Sequence, residues 1–328
     1  KETVVCAKCD KPIHPSTGHY VHAFPDRLPK FIGWHVPQII HPYHYNILEN
    51  WQDILAHQKT YTQARFYNEC LGESCESSSR LISLPILKRQ AKLMDLKNDI
   101  HTARAAMQRY SLVSFGIDWG GGGSETTSRT TLAAAGLVKG SDILEIFFMQ
   151  RFGQDLSPEE ETRQIVNRIQ QLSPRLIGHD YGGAGALRET MLLQAGVPNK
   201  IIAPFTYSVH SQKPVIYYEK PTKGYRHSYQ IDKPRSLVVL CAMIKGDKVR
   251  FPPFEYCENE LTDFLSLAED RQERPRGADV VLVIKIPGAA DDMVHAINYA
   301  CSALWYSQGT YPNLAEAEAI RVVPSVLR

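Results

Sequence analysis

No apolar run in the 328 residues reaches the ~18 that a membrane-crossing helix needs, so nothing in the sequence reads as a membrane span. The first residues, KETVVCAKC, lack the apolar core of a secretion signal and also lack an initiator Met. They read as an internal cut with more chain upstream. An even cysteine count is missing too: the seven cysteines sit in unlike contexts, which argues against a disulfide framework and for a reducing compartment. Strong charge of either sign is absent. A net charge of +2 excludes a histone-like polycation but leaves nucleic acid open, because binding needs a local basic face rather than a basic total. What is present is ordinary: 43% hydrophobic and 22% charged residues, enough chain for two domains or one with an appendage.

The chain is organised around Val113–Gly123, VSFGIDWGGGG. Val113, Phe115 and Ile117 alternate with small or polar residues, the period of a β-strand. The strand ends on Asp118, with a glycine run just beyond. Taken alone this is a Gly-rich turn capped by its Asp, or a carboxylate beside bare backbone that a charged polymer can approach. Arg129–Val138 and Ile143–Arg151 predict two further strands of an antiparallel meander. Ser157–Gln171 predicts a helix, with Pro158 and three glutamates suited to its first turn. Arg175–Asp180 is a fourth short strand, again ending on Asp, and Tyr181–Gly185 opens a helix to about Ala195. Ile201–Pro204 reads as a fifth strand, Tyr217–Tyr229 as a hairpin or mobile loop, and Lys233–Lys245 as a helix. An extended piece (Lys248–Pro252), a helix (Glu258–Leu267), a turn (Arg271–Gly277) and a strand (Val280–Ile286) follow. Asp291 and Asp292 begin a last helix with an apolar stripe through Met293, Ile297, Ala300, Cys301 and Leu304. Strands followed by helices mean a mixed α/β sheet.

Upstream, the Cys6-x-x-Cys9 knuckle offers two thiolates to a tetrahedral zinc ion. His14, His19 and His22, or the distant Cys70 and Cys75, are candidates to complete it. The same pair also reads as an orphaned half-site or two ordinary thiols. From Phe31 a short strand and a Pro-broken loop lead to a helix near Tyr45, and Gln63–Gly72 is helical. The Ser/Glu-rich Glu73–Arg80 reads as a domain boundary. Residues 84–110 read as one connecting helix, whose basic face is either a solvated face or a DNA site.

Asp118 and Asp180 end two strands, and Asp291 and Asp292 begin a helix. If the strands are neighbours, their ends lie roughly 5 Å apart, and the helix can lay its first turn across both. Converging carboxylates repel unless cations neutralise them. Hard oxygen ligands select Mg²⁺ or Mn²⁺, and a pair of such ions suits in-line phosphodiester hydrolysis. The alternative is that Asp291 or Asp292 only caps its helix.

From about Phe31 to Tyr306 the chain resembles the large terminase subunit of tailed bacteriophages, specifically its C-terminal nuclease domain. GIDWGGGGS resembles the family's first acidic strand, and HDYGGAGALRETMLLQAG its second acidic site and following helix. KPRSLVVLCAMIKGDKVRFP resembles the segment before the last acidic site, and DDMVHAINYA the closing helix. GWHVPQIIHP and ARFYNECLG resemble the junction after the ATPase domain, and CAKC a zinc-ribbon remnant. The resemblance implies an α/β fold with an RNase H-like mixed sheet flanked by helices. It divides the chain into a zinc-ribbon-like junction (1–83), the connecting helix (84–110) and the nuclease domain (111–328). It implies a metal-dependent endonuclease that cuts concatemeric double-stranded DNA, using two Mg²⁺ or Mn²⁺ ions held by Asp118, Asp180 and Asp292, with Asp291 beside them. It further implies a small terminase subunit and a portal protein as partners, oligomerisation only in the full-length motor, and work in the host cytoplasm at the procapsid portal. Two departures matter. No GxxxxGK[ST] phosphate loop is present, so these residues do not contain the motor ATPase. Ala290 stands where members often have His before the paired aspartates, which removes a proton-transfer group there. His295, one turn along the helix, can face the site or pack.

Basic residues interleaved with aromatics in Tyr217–Tyr229 suit nucleic acid, cations for phosphate and rings for stacking. Lys213, Lys220, Lys223 and Arg226 are the expected backbone contacts, with Lys285 approaching phosphate or serving as an edge-strand charge. Two rival readings remain: another RNase H-like enzyme of the resolvase or transposase type, and a non-enzymatic zinc-bearing DNA-binding or assembly module.

Overall fold

A computed structural model describes residue 9 and residues 11–19, 36–60, 66–73, 80–120, 128–209, 214–220, 228–272, 280–286, 288–309 and 311–312. The chain divides into two compact units, Lys1–Ser79 with Val323–Arg328, and Arg80–Val322.

In the first unit, Pro42 occupies the first turn of α1 (Pro42–Tyr45), and the His41 side chain accepts the Tyr43 N–H. The expected helix continues as α2 (Leu48–Thr60), and Phe66–Leu71 forms a π-helical turn stopped by Gly72 at φ 65°. The short strand expected from Phe31 begins on residues outside the described set.

The second unit holds the sheet. The stretch expected as one connecting helix is instead two short ones, α3 (Leu84–Gln90) and α4 (Ile100–Ala106). The break has a local cause. Leu93 donates to the Phe251 carbonyl (3.0 Å), drawing the chain out of helix. Asn98 then takes φ 52°, and Asp99 Oδ1 accepts the N–H groups of His101 and Thr102, which starts a new helix.

The strands are β1 (Tyr110–Asp118), β2 (Thr131–Val138), β3 (Leu144–Arg151), β4 (Leu176–Asp180), β5 (Ile202–Ser208), β6 (Ile216–Glu219), β7 (Ser228–Asp232) and β8 (Val249–Arg250). They form one sheet in the order β6-β7-β5-β4-β1-β2-β3-β8. β1, β2 and β3 make the expected antiparallel meander. β4 runs parallel to β1, β5 to β4 and β7 to β5, while β6 returns antiparallel to β7 as the expected hairpin. The helices are α5 (Pro158–Leu172), α6 (Gly185–Gln194), α7 (Lys233–Lys245), α8 (Glu258–Leu261) and α9 (Asp292–Ser307). This is the expected mixed sheet flanked by helices. One further pair, β9 (Leu267–Gln272) with β10 (Val280–Lys285), forms a separate antiparallel ribbon. β9 was not foreseen. The helix expected over Glu258–Leu267 shortens to α8 and a 3-10 turn, and Leu267 already belongs to the strand.

Alternation along the strands assigns the two faces. Phe115, Ile117, Trp119, Ile177 and Phe147 pack with Ile165 of α5 and Leu192 of α6. Ala133 and Ala135 pack on the other face with α7 and α9. That second face is lined with small residues. A side chain at Gly116 would collide with the Ala296 carbonyl and the Ala300 nitrogen, so α9 lies almost on the backbone of β1. α9 is buried on all sides from Asp292 to Trp305, beyond the expected apolar stripe, with Asp292, His295, Asn298 and Ser302 among its buried residues.

Candidate active site

The carboxyl ends of β1 and β4 adjoin where the strand order reverses, β1 leading to β2 on one side and β4 to β5 on the other. Such a crevice is where open α/β sheets bind ligands. Ile117 pairs with His179 in parallel register, so Asp118 and Asp180 come next on neighbouring strands, roughly 5 Å apart in backbone. The position of α9 follows from contacts along β1. Ser114 Oγ donates to the Ala300 carbonyl at 2.7 Å, and Gly116 lies against Ala296. Two strand residues advance ~7 Å and four helical residues ~6 Å, so the next step sets Asp292 against Asp118. The three expected carboxylates thus come to one end of the sheet.

Charge effects agree with this placement. Burial pushes the Asp118 carboxyl well above its ordinary range, and Asp180, Asp292 and Asp291 push the same way against Lys233. Asp291 goes the other way. Burial alone would raise it, but His295 and Lys285 outweigh burial and hold it well below the usual carboxylate range. Lys285 Nζ lies 2.7 Å from Asp291 Oδ1, and His295 Nε2 lies 3.1 Å from Oδ2. The capping alternative does not hold for Asp291, whose side chain makes no capping bond. Asp263 Oδ2 accepts the Met293 N–H instead (3.0 Å) and also holds Arg151 Nη2 at 2.6 Å. Arg151 Nη1 reaches Asp292 Oδ2 at 3.5 Å, and Ser128 Oγ and the Arg129 N–H donate to the same carboxylate, each at 3.2 Å. Asp180 Oδ1 accepts the Gly182 N–H at 2.9 Å.

Sequence reasoning missed several of these neighbours. Tyr207, on β5, has its phenol oxygen 3.0 Å from His295 Nδ1 and accepts from Asn298 Nδ2 at 3.0 Å. With His295 Nε2 donating to Asp291, a chain runs Asn298 to Tyr207 to His295 to Asp291. Lys233 Nζ lies 5.3 Å from the centre of the Tyr207 ring. Thr131 is paired across from Asp118 and is fully buried, and its hydroxyl has no partner among the described residues. Strand-end position is the one signal the sequence offered for Arg151; Tyr207 lies past the expected strand end at Pro204, because β5 runs on to Ser208, and nothing local marked Asp263.

Among the described residues, no three His, Cys, Asp or Glu side chains already stand as a ready metal cluster. Asp180, Asp291 and Asp292 each have their own hydrogen-bond or ion-pair partners. The donor set nonetheless fits a hard divalent cation: oxygen ligands from three elements, mutual repulsion centred on Asp118, and the orphaned Thr131 hydroxyl beside it. The expected zinc half-site lies only partly within the described residues. Cys9 is exposed, Cys70 is buried with Sγ 3.9 Å from His57 Nδ1, and Cys6, His22 and Cys75 lie outside the described residues. Of the expected DNA contacts, Lys220 is exposed beyond β6 and Lys285 is engaged with Asp291, whereas Lys213, Lys223 and Arg226 lie outside the described residues. Among the described residues no helix is long and apolar enough to cross a membrane.

No family model matches the sequence, and no curated protein matches it. The chain is similar in structure to nuclease domains of large terminases. One is the nuclease domain of the large terminase subunit of bacterial virus Sf6, at 12% identity over 68% of this chain and 98% of that one, with a TM-score of 0.45. Another is the human cytomegalovirus terminase nuclease domain, at 12% identity over 67% and 93%, TM-score 0.40. A third is the large terminase nuclease of thermophilic phage G20c with bound magnesium, at 15% identity over 58% and 80%, TM-score 0.38. These are distant likenesses of chain course; the acidic corners stand on their own geometry.

Proposed function

We propose that the chain is a divalent-metal-dependent DNA endonuclease, the nuclease part of a viral packaging terminase that cuts concatemeric double-stranded DNA. One observation carries the reading: Asp118, Asp180 and Asp292 come from β1, β4 and α9 to a single end of the sheet. Asp118, Asp180 and Asp292 would hold Mg²⁺ or Mn²⁺, with Asp291 alongside. When bound, a pair of such ions activates water and stabilises the leaving oxygen of a phosphodiester.

The chain's own groups prepare that site. Arg151 offsets charge on Asp292, and Lys285 and His295 fix Asp291. Burial raises the Tyr207 hydroxyl well above its ordinary range, and Asp118 and Asp180 reinforce that against the Asn298 hydrogen bond. The neutral phenol is therefore free to donate to His295. DNA would lie along the hairpin edge, its phosphates meeting Lys220 with Lys213, Lys223 and Arg226. The small terminase subunit and the portal would be partners of the whole motor, working in the host cytoplasm at the procapsid.

The test is conversion of supercoiled plasmid to nicked and linear forms in Mn²⁺ or Mg²⁺. Asp118→Asn is expected to abolish it, and cleavage at the unmutated rate by that variant refutes the site. A preference for branched over linear duplex DNA would favour the resolvase reading. Absence of Mn²⁺ binding would leave the non-enzymatic module.

A further inference from the structure

Beneath the acidic end, on the opposite face of the sheet, lies a buried polar network that the metal chemistry does not use. Trp119, the residue after Asp118, donates its indole N–H to Nδ1 of His179, the residue before Asp180, at 3.1 Å. His179 is fully buried, and its Nε2 lies 2.9 Å from Glu189 Oε2 on α6. An indole N–H can only donate, so Nδ1 accepts there and the proton sits on Nε2, directed at Glu189. The same Nδ1 also lies 2.9 Å from the Asp180 carbonyl, but one nitrogen cannot accept and donate at once, and the indole has the claim.

The network continues behind Trp119. The Arg188 guanidinium lies 5.5 Å from the Trp119 ring, pairs with Glu161 at 2.8 Å and donates to the Pro158 carbonyl at 3.1 Å. Thr130 Oγ1 donates to Glu161 Oε2 at 3.0 Å and accepts the Gly120 N–H at 3.0 Å. Two strand ends and the starts of two helices are thereby tied to one buried cluster.

Burying two glutamates, an arginine and a histidine is costly, and apolar groups of like volume would commonly be as stable. Stability therefore does not account for the network; geometry does. The Trp119–His179 bond bridges β1 and β4 at the two residues that flank the acidic pair. We infer that Trp119, His179, Glu189, Arg188 and Glu161 are positioning residues that fix the separation of Asp118 from Asp180 through the backbone, and so set the affinity of the carboxylates for a divalent cation. This rests on the proposed metal site.

The test is Mn²⁺ titration calorimetry with thermal melting of the full chain, for the unmutated protein, Asp118→Asn, Trp119→Phe, Glu189→Leu, Glu189→Gln and Leu192→Ala. Leu192 is a buried apolar residue on the same helix as Glu189, so its truncation lowers stability without touching the network. Trp119→Phe and Glu189→Leu are expected to weaken Mn²⁺ binding about 10- to 100-fold, as loss of an outer-shell partner does. Glu189→Gln, which keeps an acceptor for His179, should bind like the parent, as should Leu192→Ala despite its lower melting point. If Mn²⁺ binds the parent and not Asp118→Asn, yet binds Trp119→Phe and Glu189→Leu as tightly as the parent, the positioning inference falls and the metal site stands. Equal loss in Leu192→Ala also overturns it, because affinity would then track stability. No Mn²⁺ binding by the parent overturns both.

Discussion

Replacing Gly116 by alanine probes the step on which the site depends, the register of α9 over β1. A Cβ at Gly116 falls on the carbonyl of Ala296 and the nitrogen of Ala300, which are helix backbone and cannot rotate aside. Ordinary non-bonded contact needs ~3.5 Å, so the helix must withdraw by roughly 1.5 Å. Overpacking of this kind costs ~1–3 kcal/mol, or roughly 5 °C of melting temperature for a unit of this size. The larger effect is expected on chemistry. Asp292 begins the helix that is displaced, and about 1 Å of misplacement can cost ~100-fold in rate. Plasmid nicking in Mn²⁺ and a thermal melt should be measured together. Gly140→Ala supplies the matched control. Gly140 has φ +72° and open space around it, so alanine there costs ~1–2 kcal/mol by backbone strain alone. It lies in the turn after β2, at the opposite end of the sheet from Asp118. Gly140→Ala should melt lower and nick normally. Nicking at the parental rate by Gly116→Ala, or an equal loss in Gly140→Ala, refutes the reasoning.

Three further outcomes follow from the same geometry. The folded value of the Asp118 carboxyl lies well above ~3.9. The folded chain therefore keeps a proton that the unfolded chain has released, and stability falls as pH rises from about 4 through the folded value. In EDTA, Asp118→Asn should melt higher than the parent at neutral pH and lose that advantage near pH 4; a pH-independent difference excludes the effect. Asp263→Ala leaves Arg151 with its longer contacts to Asp292 and the Asn259 carbonyl and uncaps α9 at Met293, and should cost about 3 kcal/mol in urea unfolding, whereas a loss below ~1 kcal/mol means that the pair is not coupled to the fold. Lys220→Glu should reduce the slope of log affinity for DNA against log salt by about one; an unchanged slope removes Lys220 from the DNA face.

The strands and long helices were legible because their patterns are local. β1 shows its period in Val113, Phe115 and Ile117, and α5 shows Pro158 after a Ser157 that caps Glu160 at 3.2 Å. The two acidic strand ends were legible for the same reason. Their adjacency depended on β4 lying beside β1, a fact of topology rather than pattern. Residues 84–110 were misread because helical spacing continues through a segment that Phe251 pulls out of helix, a contact 158 positions distant from Leu93 along the chain. The glutamates of α5 read as dipole partners. Glu160 instead pairs with Arg163 one turn along its own helix, and Glu161 turns inward to Arg188 and Thr130. Asp263 was invisible, since a cap supplied from 30 residues away leaves no mark beside the helix it caps.

Side-chain parity along β1 explains why small and large residues alternate there as they do. Ser114, Gly116 and Asp118 face α9, and smallness at the first two lets the helix approach closely enough for Asp292 to reach the third. Phe115, Ile117 and Trp119 face the layer of α5 and α6, where bulk fills the core. Gly178 and His179 repeat the division on β4, with a Cβ at Gly178 meeting the Tyr299 carbonyl at 2.8 Å while His179 turns to Trp119 and Glu189. The carboxylates therefore project from a backbone held on one side by helix contact and on the other by a buried hydrogen-bond network. Among the described residues neither support donates to the carboxylate oxygens of Asp118.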